Sequence, residues 1–271
     1  MEWLDWGLIV GLVALGGSVG FLAGLLGIGG GMTMVPFMVM LFGAKGFPPT
    51  EIMKIAIATS LAVNLFTSVS STLAHYRHGA VRTDLLGAMG TGAFIGTFAG
   101  AHFAGMLKES FLAAFFGLFV GYSAWQMLKG KKPKPGRDVP GALGMGVVGS
   151  GIGLISSLLG AGGGFMTVPF LTWCNVTMHQ AVATSAGLAF PIALGGLIGY
   201  AMAGWDLPGM PSGSVGYIYL PALVCLASAS IMTAPMGARL AHKTDVPKLK
   251  RWFAYLLFVL AGYMLTRVNW W

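Results

Sequence analysis

The 271 residues are 56% hydrophobic and only 9% charged, with a mean hydropathy of +0.78, which excludes an ordinary soluble domain. A net charge of +8 would suggest nucleic acid in a soluble protein. Here the basic residues gather in short loops between apolar runs, the positive-inside bias of membrane proteins, so no nucleic-acid partner is expected.

Glu2 and Asp5 precede the first apolar run with no Lys or Arg, so that run, Trp6 to Leu26, reads as a retained membrane helix rather than a cleavable signal. It ends at Gly27-Ile28-Gly29-Gly30-Gly31. A shorter run, Met32 to Phe42, follows and stops at the turn-forming Gly43-Ala44-Lys45-Gly46-Phe47-Pro48-Pro49. At 1.5 Å per residue that run is about 17 Å long, roughly half the hydrocarbon thickness. The pattern predicts a re-entrant hairpin with a glycine tip. Spans follow over Ile55–Ala74, Leu85–Leu107 and Phe111–Leu128, the second carrying Gly92, Gly96, Gly100 and Gly105 for close helix packing.

A basic, Pro-rich linker over 130–140 separates an N-terminal membrane unit, 1–129, from a C-terminal one, 141–271. The second unit repeats the first: a run from Gly141 to Leu159, the glycine stretch Gly160-Ala161-Gly162-Gly163-Gly164, and a short arm from Phe165 to Trp173. Spans over Gln180–Met202, Tyr217–Leu240 and Lys250–Val268 complete it. Gly27 matches Gly160 at an offset of 133, and at that offset Gly29, Gly30, Gly31, Val35, Pro36 and Phe37 meet identical residues. Ala58-Thr59-Ser60 matches Ala183-Thr184-Ser185 at an offset of 125. A hairpin returns the chain to its starting side and three spans follow, so the repeats must face opposite ways. Placing the loops around Arg77, Lys132 and Lys248 inside agrees with that parity and puts both termini outside. The expected fold is an all-α integral membrane protein of two inverted-topology repeats, each a glycine-tipped hairpin, re-entrant or fully spanning, plus three transmembrane helices.

Glycine-lined helix starts leave backbone N–H groups free and put the positive end of the helix dipole at the tip, a combination that holds anions without charged side chains. Opposed tips can cradle one small anion, with Thr33 and Thr167 adding hydroxyls. Close packing alone is the competing reading of these glycines. From Ser60, the residues Asn64, Thr67, Ser68 and Ser71 form a polar stripe that faces the protein interior or a wet path; bonding to neighbouring helices is the structural alternative. The second repeat has Ala189, Pro191 and Ile192 there instead. Lys54 and His179 stand one turn before the two Ala-Thr-Ser motifs and His102 lies inside a span; each is a candidate for charge or proton coupling, against snorkelling, capping or a neutral hydrogen-bonded His. Acidic residues are nearly absent from the spans, which argues against a multivalent-cation site and a carboxylate relay. Cys174 and Cys225 lack metal spacing and read as small packing residues.

Gly-x-Gly-Gly-Gly…Val-Pro-Phe with a later Ala-Thr-Ser, once in each half, resembles the sulfite exporter TauE/SafE family, also called the 4-toluene sulfonate uptake permease family. The resemblance spans nearly the whole chain. It implies a bacterial inner-membrane permease for sulfur-containing anions such as sulfite, sulfoacetate or organosulfonates. The family-pattern positions are Gly29, Gly30, Gly31, Pro36, Thr59 and Ser60, with Gly162, Gly163, Gly164, Pro169, Thr184 and Ser185. Lys54, where the second repeat has His179, has no reading from the pattern.

The expected function is a secondary transporter for a small sulfur-containing or organic anion working by alternating access, with a passive anion channel as the alternative. No catalytic cluster, metal site or cofactor motif is found: neither glycine run has Walker or dinucleotide spacing. The expected partners are the anion and the lipid bilayer, with a homo-oligomer left open.

Overall fold

The computed structural model of the chain describes residues 5–26, 30–77, 81–130, 136, 138–241 and 246–268. Gly27, Ile28, Gly29, His78, Lys132, His242 and Lys243 therefore lie outside the described residues, with most of the basic linker.

Ten helices account for the apolar runs: α1 (Trp6–Leu26), α2 (Gly31–Ala44), α3 (Ile52–Arg77), α4 (Thr83–Met106), α5 (Glu109–Lys129), α6 (Ala142–Leu159), α7 (Gly164–Trp173), α8 (Met178–Ala203), α9 (Leu220–Ala241) and α10 (Val246–Thr266). Six of them, α1, α3, α5, α6, α8 and α9, are long and apolar enough to cross a bilayer. The chain is an all-α, multi-pass membrane protein. α2 and α7, with 14 and 10 residues, rise only about 21 and 15 Å. Each carries a proline at its sixth position, Pro36 and Pro169, which removes one ladder N–H and frees the carbonyl four residues earlier. Between the eighth and ninth helices the chain forms a two-stranded antiparallel ribbon, β1 (Ser214–Val215) with β2 (Ile218–Tyr219), so the span expected from Tyr217 begins as a helix only at Leu220. The ribbon's shortness and its glycines hid it from the sequence pattern.

Large apolar side chains such as Phe42, Met38, Ile55 and Phe116 fill the core, others such as Val10, Leu118, Val147 and Val224 are exposed on the rim, and small residues mark the closest helix seams. Along the α4–α6 seam, a Cβ on Gly92 would collide with the Gly146 carbonyl and one on Gly96 with the Ser150 carbonyl. Backbone contact of this kind is what small residues at four-residue spacing permit in lipid, where packing rather than water drives helix association.

Packing partners exchange between the two halves. α4 lies on α6, and α9 lies on α1. Gly149 and Gly153 of α6 meet the Met89 and Ala93 carbonyls of α4; Gly16 and Gly20 of α1 meet the Leu226 and Ser230 carbonyls of α9. The matched helices α3 and α8 pack on each other in opposite directions, with Leu61 against Gly196 and the Thr72 hydroxyl donating to the Ala186 carbonyl at 3.0 Å.

Candidate functional site

The two short helices begin without side-chain caps. Gly30 precedes α2, and Gly163, at φ +75°, precedes α7; neither start has a side-chain cap hydrogen bond. α8, by contrast, is capped by the Thr177 hydroxyl. Thr33 and Met34 N–H groups reach the Gly30 carbonyl at 3.2 and 3.0 Å, and Met166 and Thr167 reach the Gly163 carbonyl at 3.1 and 2.9 Å. The N–H groups of the first helical residues stand outside these ladders.

The tips touch. A Cβ on Gly31 would run into the Gly160 carbonyl and lie 2.7 Å from Ala161 Cα. The Gly160 carbonyl is further held by α3, accepting from Ser60 Oγ at 2.8 Å and from Asn64 Nδ2 at 3.1 Å. These two side chains therefore position the second tip from the first repeat.

Beside this junction lies a cavity of about 180 Å3. That is below the roughly 300–1,000 Å3 of drug-sized sites and suits a small solute. Gly30, Gly162 and Gly164 of the tips line it, with Asn64, Thr67, Ser68 and Ser71 along α3, Ser185 on α8 and Ser230 on α9. Among the described residues, no Lys, Arg, Asp, Glu or His side chain is in the lining. Its polarity comes from hydroxyls, one amide and uncapped backbone. Several hydroxyls now donate along their own helices, Ser68 to the Leu65 carbonyl at 3.0 Å and Thr67 to that of Val63 at 3.4 Å.

Thus Gly30, Asn64, Gly162, Gly164 and Ser185 converge on the cavity, and Gly31 and Gly163 lie in the tips beside it. Thr33, Pro36, Thr59, Ser60, Thr167, Pro169 and Thr184 are not in its lining. Thr33 Oγ1 donates back to the Gly30 carbonyl at 2.9 Å. Thr59 and Thr184 do matching work on the elements they face: Tyr219 N–H, at the end of β2 just before α9, donates to Thr59 Oγ1 at 3.1 Å, and Arg82 N–H, just before α4, donates to Thr184 Oγ1 at 3.1 Å. Of the charged candidates, His102 and His179 are exposed on α4 and α8. Lys54 is buried at 6% exposure, paired with Glu51 at 3.0 Å and set over the Tyr217 ring at 5.5 Å. Burial, reinforced by Glu51, pushes the Tyr217 hydroxyl above its ordinary range, which keeps it neutral.

The lining lies toward the end of the molecule where α3 finishes and α8 starts. Aromatic rings pack together toward the other end. Phe42 stacks on Phe47 at 4.6 Å, both meet Tyr219 edge-on at 5.9 and 5.2 Å, and Tyr200 meets Tyr217 edge-on at 6.1 Å. Sequence reasoning missed Ser230 and the Gly160 carbonyl. Ser230 belongs to no motif, and a main-chain acceptor leaves no trace in residue identity.

Uncapped half-length helices meeting at a polar cavity, inside a multi-pass helical bundle, define the membrane transporters as the class to which this fold answers. The chain belongs to the sulfite exporter TauE/SafE family, whose pattern it matches over residues 12–264. It is 34% identical over 248 residues to a probable membrane transporter protein of Haemophilus influenzae, covering 91% of this chain and 94% of that one. A probable membrane transporter protein of Methanocaldococcus jannaschii is 27% identical over 260 residues, covering 94% of each chain. YunE of Bacillus subtilis, also a probable membrane transporter protein, is 28% identical over 80% of this chain and 82% of its own. No solved structure matches the chain.

Proposed function

We propose that the chain is a secondary transporter moving a small sulfur-containing or organic anion, such as sulfite or an organosulfonate, across the inner membrane by alternating access. The observation that carries this reading is the cavity beside the junction of the two tips, which offers uncapped helix starts and hydroxyl donors and, among the described residues, no charged side chain. Donors without a fixed counter-charge suit an anion that must be released as readily as it is bound.

In this proposal units 1–129 and 141–271 are inverted repeats joined by 130–140, and α2 and α7 are re-entrant arms. The exchange of packing partners and the opposed directions of α3 and α8 support it. Both termini then lie outside and the cavity faces the cytoplasm, because the basic loops gather at the end toward which it lies. The proposal includes no catalytic role for the chain.

Purified protein in proteoliposomes tests the reading. A carrier gives uptake of sulfite, thiosulfate or methanesulfonate that saturates with concentration and shows no unitary currents. Unsaturable flux with unitary currents would make the protein a channel and contradict alternating access.

A further inference from the structure

The cavity has a closed counterpart on the other face of the second tip. Val19, Ala23, Gly30 and Met34 line the cavity, and the 133-residue offset carries them to Ile152, Ser156, Gly163 and Thr167. The 125-residue offset carries Thr67, another lining residue, to Ile192. These counterparts pack on one another: a Cβ on Gly163 would lie 2.7 Å from Ile192 Cδ1, 3.0 Å from Ile152 Cγ2 and 3.1 Å from Ser156 Oγ. A Cβ on Gly30 would press on Val19 as closely, and what separates the two sets is that Val19, Ala23, Gly30, Met34 and Thr67 line the cavity while none of their counterparts does. Thr167 stands one turn beyond Gly163 on the same face of α7, four residues along.

The two sets differ in polarity. Where the first hairpin has Ala23 and Met34, the second has Ser156 and Thr167, each with 0% exposure. Among the described residues, neither hydroxyl has a hydrogen-bond partner. Thr59, Ser60, Thr97, Ser157 and Thr184 are satisfied, and the other unpartnered hydroxyls, those of Ser214 and Tyr219, lie away from this tip in the β1–β2 ribbon. A buried donor left unpaired carries an uncompensated desolvation penalty, and two of them beside one uncapped helix start call for a ligand.

We infer that Ser156 and Thr167 are anion-binding residues of the second hairpin, occluded here and brought onto the substrate's oxygens when the transporter opens to the opposite side. This deepens the anion-transporter reading and rests on it. As the α1–α2–α3 lining closes, the α6–α7–α8 counterpart opens, and the two hydroxyls donate to the anion alongside the α7 amides. The second repeat, which lacks the α3 stripe, thereby contributes its own donors.

The test uses full-length protein, melted in detergent and assayed for uptake, with sulfite, thiosulfate and methanesulfonate as probes. Ser156→Ala and Thr167→Val should melt no lower than wild type without anion, because each removes an unpaired hydroxyl. Each should weaken the apparent affinity for the stabilising anion, and raise its half-saturating concentration for uptake, by about tenfold. Thr167→Ser, which keeps the hydroxyl, should stay near wild type. Wild-type affinity and half-saturation in both hydroxyl-free variants would overturn the inference while leaving the transporter reading standing. A lower anion-free melting temperature would assign the hydroxyls a structural role and overturn it equally. If none of the three anions stabilises or enters with the wild type, the anion reading itself fails and the inference with it.

Discussion

At the Gly160 carbonyl, two donors from one helix fix the tip of the opposite hairpin: Ser60 Oγ at 2.8 Å and Asn64 Nδ2 at 3.1 Å. Their polarity was legible in the sequence, because a polar stripe on an apolar helix must face something other than lipid. Their acceptor was not, since it is a main-chain oxygen about a hundred residues away. Ser60→Ala should leave one donor on that carbonyl and cost about 1 kcal/mol of stability, read as a lower melting midpoint in detergent, with anion affinity reduced less than stability alone would suggest for a direct ligand. Asn64 also lines the cavity, so Asn64→Leu should lose anion-dependent stabilisation altogether. Unchanged stabilisation by anion in Asn64→Leu would remove this side chain from the site.

The elements are held across the repeats by a reciprocal pair of hydrogen bonds. Thr59 of α3 takes the N–H at the end of β2, just before α9, and Thr184 of α8 takes the N–H just before α4. The doubled Ala-Thr-Ser motif pointed to these positions, and the geometry gives its threonines a helix-anchoring task that spacing alone does not reveal. Thr59→Val and Thr184→Val should each cost about 1 kcal/mol, and the double variant the sum within about 0.5 kcal/mol, because the sites share no partner. Strong non-additivity in the melting data would contradict two independent anchors. The glycine spacing of α4 was equally readable as a packing face. Gly96→Leu should prevent the α4–α6 seam from closing, seen as loss of monodisperse protein after extraction.

For the whole molecule, the apolar runs made the helical bundle readable and the doubled glycine motif made its two short helices readable, because both follow from apolar length and turn chemistry. The aromatic cluster of Phe42, Phe47 and Tyr219, with Tyr217 edge-on to Tyr200, was not readable, because separate loops and helix ends with no common motif supply it. The central claim is that one small anion crosses by way of the two tips. A Cβ on Gly30 would already press on Val19, so a leucine there fills the cavity beside the tips. The most direct measurement is counterflow in proteoliposomes: uptake of labelled anion, with and without unlabelled anion inside, by wild type and Gly30→Leu. Passage by way of the tips gives saturable wild-type uptake accelerated by internal anion, and loss of both in a Gly30→Leu protein that still elutes as folded. Wild-type counterflow in Gly30→Leu would contradict it.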